Sequence, residues 1–377
     1  MLNKLWRKLA IAANWPVLAA VAVLSTAGIV AIWAQKPELG QTQLEYLLVA
    51  VICMALVQAV NYTVIGRYAW VFYFLSLLLV LYTAAGAVAG AHQHHLTGVE
   101  KRNGAYAWIN FGFITLEPSE LMKISFVVAL ARYLRFRASF RTLRGLLPPF
   151  ALAIVPVGLI LAQPDLGVAA LFFPTLLAML FVAGAKGGHI GLIVGSATVV
   201  ALIFWFSPFV HPYQRDRVVK FWSSDPNANY QQDRAMSAMG AGGLSGKGID
   251  NLSVSRHVPE AENDMIFAVI GEQFGFLGSA AVLLAYVVLF AAGIEISAAT
   301  REPFGRLVAL GIVVLLATQT LLNLMVVMRL FPVTGVTLPF VSSGGSSLVA
   351  SFIAAGLLLN IGQTRTLVIA REAFEFG

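Results

Sequence analysis

Long, uninterrupted apolar segments fill most of this chain of 377 residues. Hydrophobic residues make up 59% of the sequence and charged residues only 11%, whereas a soluble domain carries about a quarter charged residues. A helix that crosses a bilayer needs about 20 apolar residues. The sequence therefore predicts an all-α polytopic membrane protein, and residues 1–377 are predicted to form a single membrane domain.

About ten transmembrane helices fit the apolar segments. They are predicted at 14–34, 44–64, 69–90, 119–134, 146–162, 168–184, 189–207, 265–296, 307–329 and 345–362. The first segment follows Lys4, Arg7 and Lys8 and is too long for the apolar core of a signal peptide. It is therefore predicted to be retained as a membrane span.

Basic residues predict the orientation, because Lys and Arg are enriched in cytoplasmic segments. With the N-terminus in the cytoplasm, the short outer loops hold only Lys36, Lys101, Arg102 and Arg329. Both termini are then cytoplasmic. The net charge of +7 is explained by this topology, and no nucleic-acid partner is predicted. The single cysteine, Cys53, cannot form an internal disulfide and is predicted to be a small buried hydrophobe.

Two predicted outer segments are longer than simple turns. Residues 91–118 begin with His92, His94 and His95, and residues 208–264 form a long extracytoplasmic loop between the seventh and eighth spans. Loops of this length are usually functional or disordered. The histidine spacing does not predict a tetrahedral metal site. The sequence also contains no Walker loop, dinucleotide fingerprint or nucleophile elbow.

Charged residues at membrane depth are costly and are therefore functional candidates. Glu120 and Lys123 are three residues apart and share a helical face. Either they neutralise each other so that the helix can enter the membrane, or Lys123 offers its ammonium to an anionic ligand while Glu120 orients it. Asp165 either caps the helix that follows or also faces a polar cavity.

Two more candidate segments lie at predicted outer ends of spans. Asp264 stands where water meets lipid, and desolvation together with neighbouring acids would raise its pKa and suit a general base. The alternative for Asp264 is a helix N-cap. Residues 338–347, which include Ser342 and Ser346, could offer backbone N–H groups to a phosphate or permit close helix packing.

Taken in order, these segments resemble the SEDS family (shape, elongation, division and sporulation), whose members RodA and FtsW are peptidoglycan glycosyltransferases. The matching segments are Gly104-Ala105-Tyr106-Ala107-Trp108-Ile109, 117–123, 163–167, 242–248, 259–268 and 338–347. The chain departs from the family pattern at Glu117 for glutamine, Val258 for leucine, Met265 for phenylalanine, Gln273 for a second acid and Ser343 for tyrosine. None of these departures removes the aspartate, the E-x-x-K pair or the Q-P-D segment.

The resemblance implies polymerisation of lipid II, a lipid-linked disaccharide-peptide, at the outer face of a bacterial cytoplasmic membrane. Asp264 would be the base that deprotonates the acceptor hydroxyl while the donor sugar carbon loses its pyrophosphate with inversion. Lys123, Lys247, Arg217 or a divalent cation such as Mg²⁺ or Mn²⁺ would stabilise the leaving group. Trp108 would stack on a sugar or support its loop. The remaining predicted substrate-site residues are Glu120, Asp165, Ser342 and Ser346.

The resemblance also implies a partner, a single-span transpeptidase of the class B penicillin-binding type, besides lipid II and membrane lipids. Two other functions stay open: a flippase for the lipid-linked precursor and a non-catalytic scaffold. A flippase needs polar residues through the full membrane depth, and the inner halves of the later spans look too apolar for that. The short N-terminal tail and Val333-Thr334-Gly335 favour RodA slightly, whereas Gly271-Glu272 and Thr337 resemble FtsW.

Overall fold

The computed structural model describes residues 15–91, 98–102, 105–112, 115–137, 142–195, 219, 221–222, 229–249 and 251–372. Its helices are α1 (Trp15–Gln35), α2 (Pro37–Ala59), α3 (Tyr62–Arg67), α4 (Ala69–Ala91), α5 (Pro118–Leu134), α6 (Leu147–Ala162), α7 (Leu166–Ala183), α8 (Tyr230–Ala241), α9 (Ile266–Ala299), α10 (Pro303–Val327) and α11 (Gly345–Glu372). Residues 187–195 are helical as well.

Eight helices in the described part of the chain are long and apolar enough to cross a membrane, namely α1, α2, α4, α6, α7, α9, α10 and α11. The predicted all-α polytopic membrane protein is thereby confirmed. Of the two other predicted spans, 119–134 corresponds to α5, which has 17 residues. The span predicted at 189–207 lies mostly outside the described residues.

Helix α5 lies at the centre of the bundle. Every residue of α5 except Leu121 and Arg132 is buried, as expected for a helix that is enclosed by other helices. The ring of Phe126 lies 5.1 Å from that of Phe172 on α7, measured between centroids. On the α10 side, a Cβ atom added at Gly311 would lie 2.6 Å from a methyl group of α5. Polar side chains on α5 are therefore held away from lipid.

A small antiparallel sheet, which the sequence analysis did not predict, follows α4. Its strands are β1 (Val99–Arg102), β2 (Ala105–Asn110) and β3 (Thr115–Leu116), in the order β1-β2-β3. Ala107 and Ile109 of β2 are buried, whereas the residues between and beside them are half-buried. This alternation is the period of a strand with one covered face.

Helix α9 is broken at Gly275, whose backbone has φ 66° and ψ −159°. The glycine-rich segment 242–248 crosses this break and bonds to it through its backbone. The N–H of Lys247 donates to the carbonyl of Glu272 at 2.9 Å, and the N–H of Phe276 donates to the carbonyl of Gly243 at 2.9 Å. Broken helices are tolerated in membranes where neighbouring groups satisfy the freed backbone. The glycines are needed because the two backbones touch: a Cβ atom at Gly246 would lie 2.2 Å from a carbonyl oxygen of α9.

The segments predicted to be outer meet at one end of the bundle, which we call the outer end. There Lys36 Nζ lies 2.5 Å from Glu262 Oε1, and Gln43 Nε2 donates to the carbonyl of Ser342 at 3.1 Å. At the opposite end, Arg135 pairs with Glu302 at 2.7 Å. The alternation of the helices thus agrees with the predicted order of inner and outer segments.

Candidate functional site

Helix α5 carries the Glu120–Lys123 pair into the centre of the protein. Lys123 Nζ lies 2.8 Å from Glu120 Oε1, and the two side chains are 3% and 6% exposed. The same ammonium donates to Gln319 Oε1 on α10 at 2.9 Å. Buried charges persist only when they are paired and hydrogen-bonded. These two bonds satisfy that condition and hold the ammonium in one position.

Further carboxylates gather where α5 begins. Glu117 is half-buried, and its Oε1 accepts from Ser119 Oγ at 2.8 Å. Burial, followed by the negative charges of Glu120 and Asp165, raises the pKa of Glu117 to about 8. Asp165 also caps α7, because its Oδ1 accepts from the N–H of Val168 at 3.0 Å. The predicted capping role is therefore observed, and Asp165 also lies close enough to Glu117 to raise the pKa of that carboxyl.

Asp264 lies immediately before α9 and is 5% exposed. Its Oδ1 is 3.4 Å from Nε2 of Gln231 on α8, and its backbone carbonyl accepts from Nδ2 of Asn323 at 2.7 Å. The N-cap position of α9 is Met265, so the alternative in which Asp264 is that N-cap is wrong. A mostly buried carboxylate held through its own backbone is a suitable arrangement for a base.

Ser342 and Ser346 join segments of the outer end. Ser342 Oγ donates to the carbonyl of Asn263 at 2.6 Å and accepts from the N–H of Leu338 at 2.7 Å. Ser346 Oγ donates to the carbonyl of Thr115 at 3.0 Å and accepts from the N–H of Glu117 at 2.9 Å. Both hydroxyls are thus used within the protein. The two predicted alternatives for residues 338–347, backbone N–H groups for a phosphate and close helix packing, both stay predictions, because these contacts involve the hydroxyls and not the N–H groups.

The other predicted site residues have different surroundings. Lys247 Nζ lies 3.0 Å from Oε1 of Glu272, a fully buried residue that also accepts backbone N–H bonds from residues 253–255. The contacts of Lys247 therefore hold the outer loop against α9. Trp108 is half-buried in β2, where it pairs with Glu100 across the sheet. Arg217 lies outside the described residues.

Two site residues were missed by the sequence analysis, Gln319 and Asn323, which lie one turn apart on α10. Gln319 Nε2 donates to the carbonyl of Thr337 at 3.0 Å, and Asn323 Nδ2 donates to the carbonyl of Val336 at 2.8 Å. They connect the Lys123 pair to the backbone of Asp264. A signal for them existed, because amides inside a membrane span are uncommon and usually hydrogen-bond across helices.

Comparisons with known proteins agree with these features. Residues 6–367 match the family described as a cell cycle protein, which groups FtsW, RodA and SpoVE. The chain is 34% identical over 86% of its length to stage V sporulation protein E of Bacillus subtilis, covering 87% of that protein. It is 37% identical to the probable peptidoglycan glycosyltransferase FtsW of Nitrosococcus halophilus, over 74% of this chain and 73% of that protein.

A solved structure has the same fold. It is a chain from a peptidoglycan synthase complex described as coordinating polymerisation and crosslinking. The two chains superpose with a TM-score of 0.78 at 29% sequence identity, and the alignment covers 93% of this chain and 98% of the other.

Proposed function

Because this chain belongs to the cell cycle protein family of FtsW, RodA and SpoVE, we propose that it is a peptidoglycan glycosyltransferase that polymerises lipid II. The name of its Nitrosococcus relative supports the reaction, and the ordered motifs support the lipid-linked substrate. The slight preference for RodA over FtsW stays a prediction.

The observation that carries this proposal is the convergence of distant motifs at the outer end. Glu120 and Lys123 come from α5, whereas Asp165 immediately precedes α7 and Asp264 lies just before α9. Hydrogen bonds through α10 connect the pair on α5 to the segment that holds Asp264. A catalytic centre needs a base and a positive charge in fixed relation, and this arrangement offers both.

In the proposed reaction, the Asp264 carboxylate accepts the proton of the acceptor sugar's 4-hydroxyl. The hydroxyl oxygen attacks the anomeric carbon of the donor, and the bond to pyrophosphate breaks with inversion. Negative charge grows on the departing pyrophosphate, so a fixed cation stabilises the transition state. Lys123 can do this because Glu120 and Gln319 use two of its three N–H groups. Arg217 stays a predicted contributor, whereas the bond of Lys247 to Glu272 leads us to propose that Lys247 holds the outer loop rather than the pyrophosphate.

A divalent cation such as Mg²⁺ or Mn²⁺ remains part of the proposal, but not as an ion held in a protein cage. Within the described residues, no group of three or more His, Cys, Asp or Glu side chains could hold a metal ion. The described residues therefore form no cage of three such ligands, and an Mg²⁺ ion would instead be held by one or two carboxylates together with the phosphates of the substrate. Such an ion would have to enter with the pyrophosphate, and no step above depends on it.

We further propose that the outer end faces away from the cytoplasm and that both termini are cytoplasmic in a bacterial inner membrane. The predicted distribution of Lys and Arg supports this orientation. The transpeptidase partner is also a proposal, and the similar chain from a complex that coordinates polymerisation and crosslinking supports it.

The test is polymerisation of fluorescent lipid II by the purified chain together with its transpeptidase partner, with glycan ladders separated on a gel. We expect ladders from the wild type and none from a folded Asp264→Asn variant. Asp233→Asn is the matched control, because Asp233 is an exposed carboxylate that pairs with Arg329 on the same side of the protein. Control ladders should equal those of the wild type.

The competing functions give different results in the same preparation. A flippase would move lipid II across liposome membranes without forming ladders. A scaffold would do neither, and Asp264→Asn would leave cell shape intact. If the wild type forms no ladders with the partner bound and the substrate intact, the proposed polymerase function is refuted.

A further inference from the structure

Resting on the proposed function, we propose that Gln319 and Asn323 are positioning residues that hold Lys123 and Asp264 in fixed relation. Both lie on α10, four residues apart, and so face the same side of the helix. Neither is charged, and neither belongs to the motifs that carry the family resemblance.

Gln319 fixes the Lys123 side of the site. Its Oε1 accepts from Lys123 Nζ at 2.9 Å, and its Nε2 donates to the carbonyl of Thr337 at 3.0 Å. The side chain is 2% exposed. A buried amide that uses both its acceptor and its donor has little freedom to rotate, because any other rotamer would leave a polar atom unpaired. The ammonium is thereby tied to the backbone at Thr337.

Asn323 fixes the Asp264 side. Its Nδ2 donates to the carbonyl of Asp264 at 2.7 Å and to that of Val336 at 2.8 Å, and the residue is 1% exposed. Two carbonyl oxygens face one end of this amide, so that end must be the nitrogen. The contact is with the backbone of Asp264 and leaves its carboxylate to other partners.

The two amides act on one segment. Val336 and Thr337 are consecutive, so Asn323 and Gln319 bind neighbouring carbonyls of the same backbone. Lys123 on α5 and Asp264 immediately before α9 lie far apart in sequence. Because both amides bond to residues 336–337, the positions of Lys123 and Asp264 are coupled through α10. Misplacing a reacting group by about 1 Å can cost on the order of a hundredfold in rate, so such coupling has a direct effect on catalysis.

Gln319→Met and Asn323→Leu remove the amides with little change in volume. We expect each variant, in the ladder assay, to lower kcat by about tenfold to a hundredfold while KM stays within about twofold. Thr320→Val is the matched control. Thr320 lies between them, is 2% exposed, and its hydroxyl has no hydrogen-bond partner among the residues that the structure describes. Its kcat should equal that of the wild type.

The double variant distinguishes positioning from independent structural damage. If both amides hold the same segment, Gln319→Met with Asn323→Leu should lower kcat about as far as the worse single change. If the reduction of kcat in the double variant equals the product of the two single reductions, the proposal is overturned. A raised KM with unchanged kcat, or single variants with wild-type kcat, would overturn it as well.

Failure of the wild type to polymerise would instead refute the proposed function. If Asn323→Leu does not fold, Gln319→Met carries the test alone. Its kcat should fall by about tenfold or more with KM within about twofold, and an unchanged kcat would overturn the proposal.

Discussion

Removing Lys123 should destabilise the protein more than removing Lys123 and Glu120 together. Lys123→Met leaves the Glu120 carboxylate without its ammonium at a site where the two side chains are 3% and 6% exposed. Breaking a buried pair in this way costs about 3–5 kcal/mol, whereas replacing both members by neutral residues is often neutral or stabilising. We therefore expect Lys123→Met alone to be strongly destabilised, and Lys123→Met with Glu120→Gln to recover most of the loss.

Thermal unfolding in detergent at one fixed scan rate measures this difference, because unfolding of such proteins is often irreversible and depends on scan rate. The single variant should lose several degrees of apparent Tm, and the double variant only a small part of that. Arg329→Met is the control, since its pair with Asp233 is 39% and 42% exposed and a surface pair contributes about 0–1 kcal/mol. A single variant as stable as the wild type, or a double variant as unstable as the single one, would refute the reasoning.

The double variant also separates the two roles predicted for the pair. If Lys123 only neutralises Glu120 so that α5 can be buried, the folded double variant should form glycan ladders at the wild-type rate. If its ammonium also stabilises the leaving pyrophosphate, the double variant should be folded and inactive. We expect the second outcome. Neutralising Glu120 needs only the ion pair, whereas the additional bond to Gln319 also fixes the position of the ammonium.

Three further predictions follow from single contacts. The pKa of Glu117 in the folded protein, about 8, lies above the ordinary value of 4.5. Stability is therefore lost as pH rises from about 4.5 to about 8, because the unfolded chain has released a proton that the folded protein still holds. Glu117→Gln should flatten the decline of apparent Tm between about pH 5 and 8. Gly246→Ala should lower the free energy of unfolding by about 2–4 kcal/mol, because Gly246 has φ +80° and an added Cβ would clash with backbone atoms. Gly240→Ala is the control: an added Cβ there has no atom within 4 Å, so stability should be unchanged or higher in the same assay. Lys247→Met should lower the free energy of unfolding by only about 1–3 kcal/mol, because Glu272 keeps its backbone N–H donors. Polymerisation should then fall only in proportion to the folded fraction.

The membrane spans could be predicted because a bilayer requires long apolar segments, and each such segment is visible without knowledge of its neighbours. The break in α9 could not, because it depends on a partner. Gly275 looks like any other glycine in an apolar helix, and its conformation is stabilised by segment 242–248, whose backbone fills the break. The small sheet was missed for a related reason: β3 has two residues, too few to show a strand period.

The chemistry of the site was predicted in part. Charged residues such as Lys123 and Asp264 stand out in an apolar sequence because their burial is costly. The roles of Lys247 and Ser346 depended on which groups they meet, and the structure gives them partners within the protein. Sequence indicated that these side chains needed hydrogen bonds, but not whether a substrate or the chain itself would supply them.

The amides of α10 show why the connection between the charged residues could not be inferred. Gln319 and Asn323 bind the backbone carbonyls of residues 264, 336 and 337. Every residue has a carbonyl, so the partners of these amides need no particular side chain and leave no motif. Only the amides themselves are visible in sequence, as uncommon polar residues in a span. An unexplained amide inside an apolar helix therefore indicates that a polar partner packs beside it, and an irregular backbone segment is one such partner, because its freed N–H and C=O groups must also be satisfied within the protein.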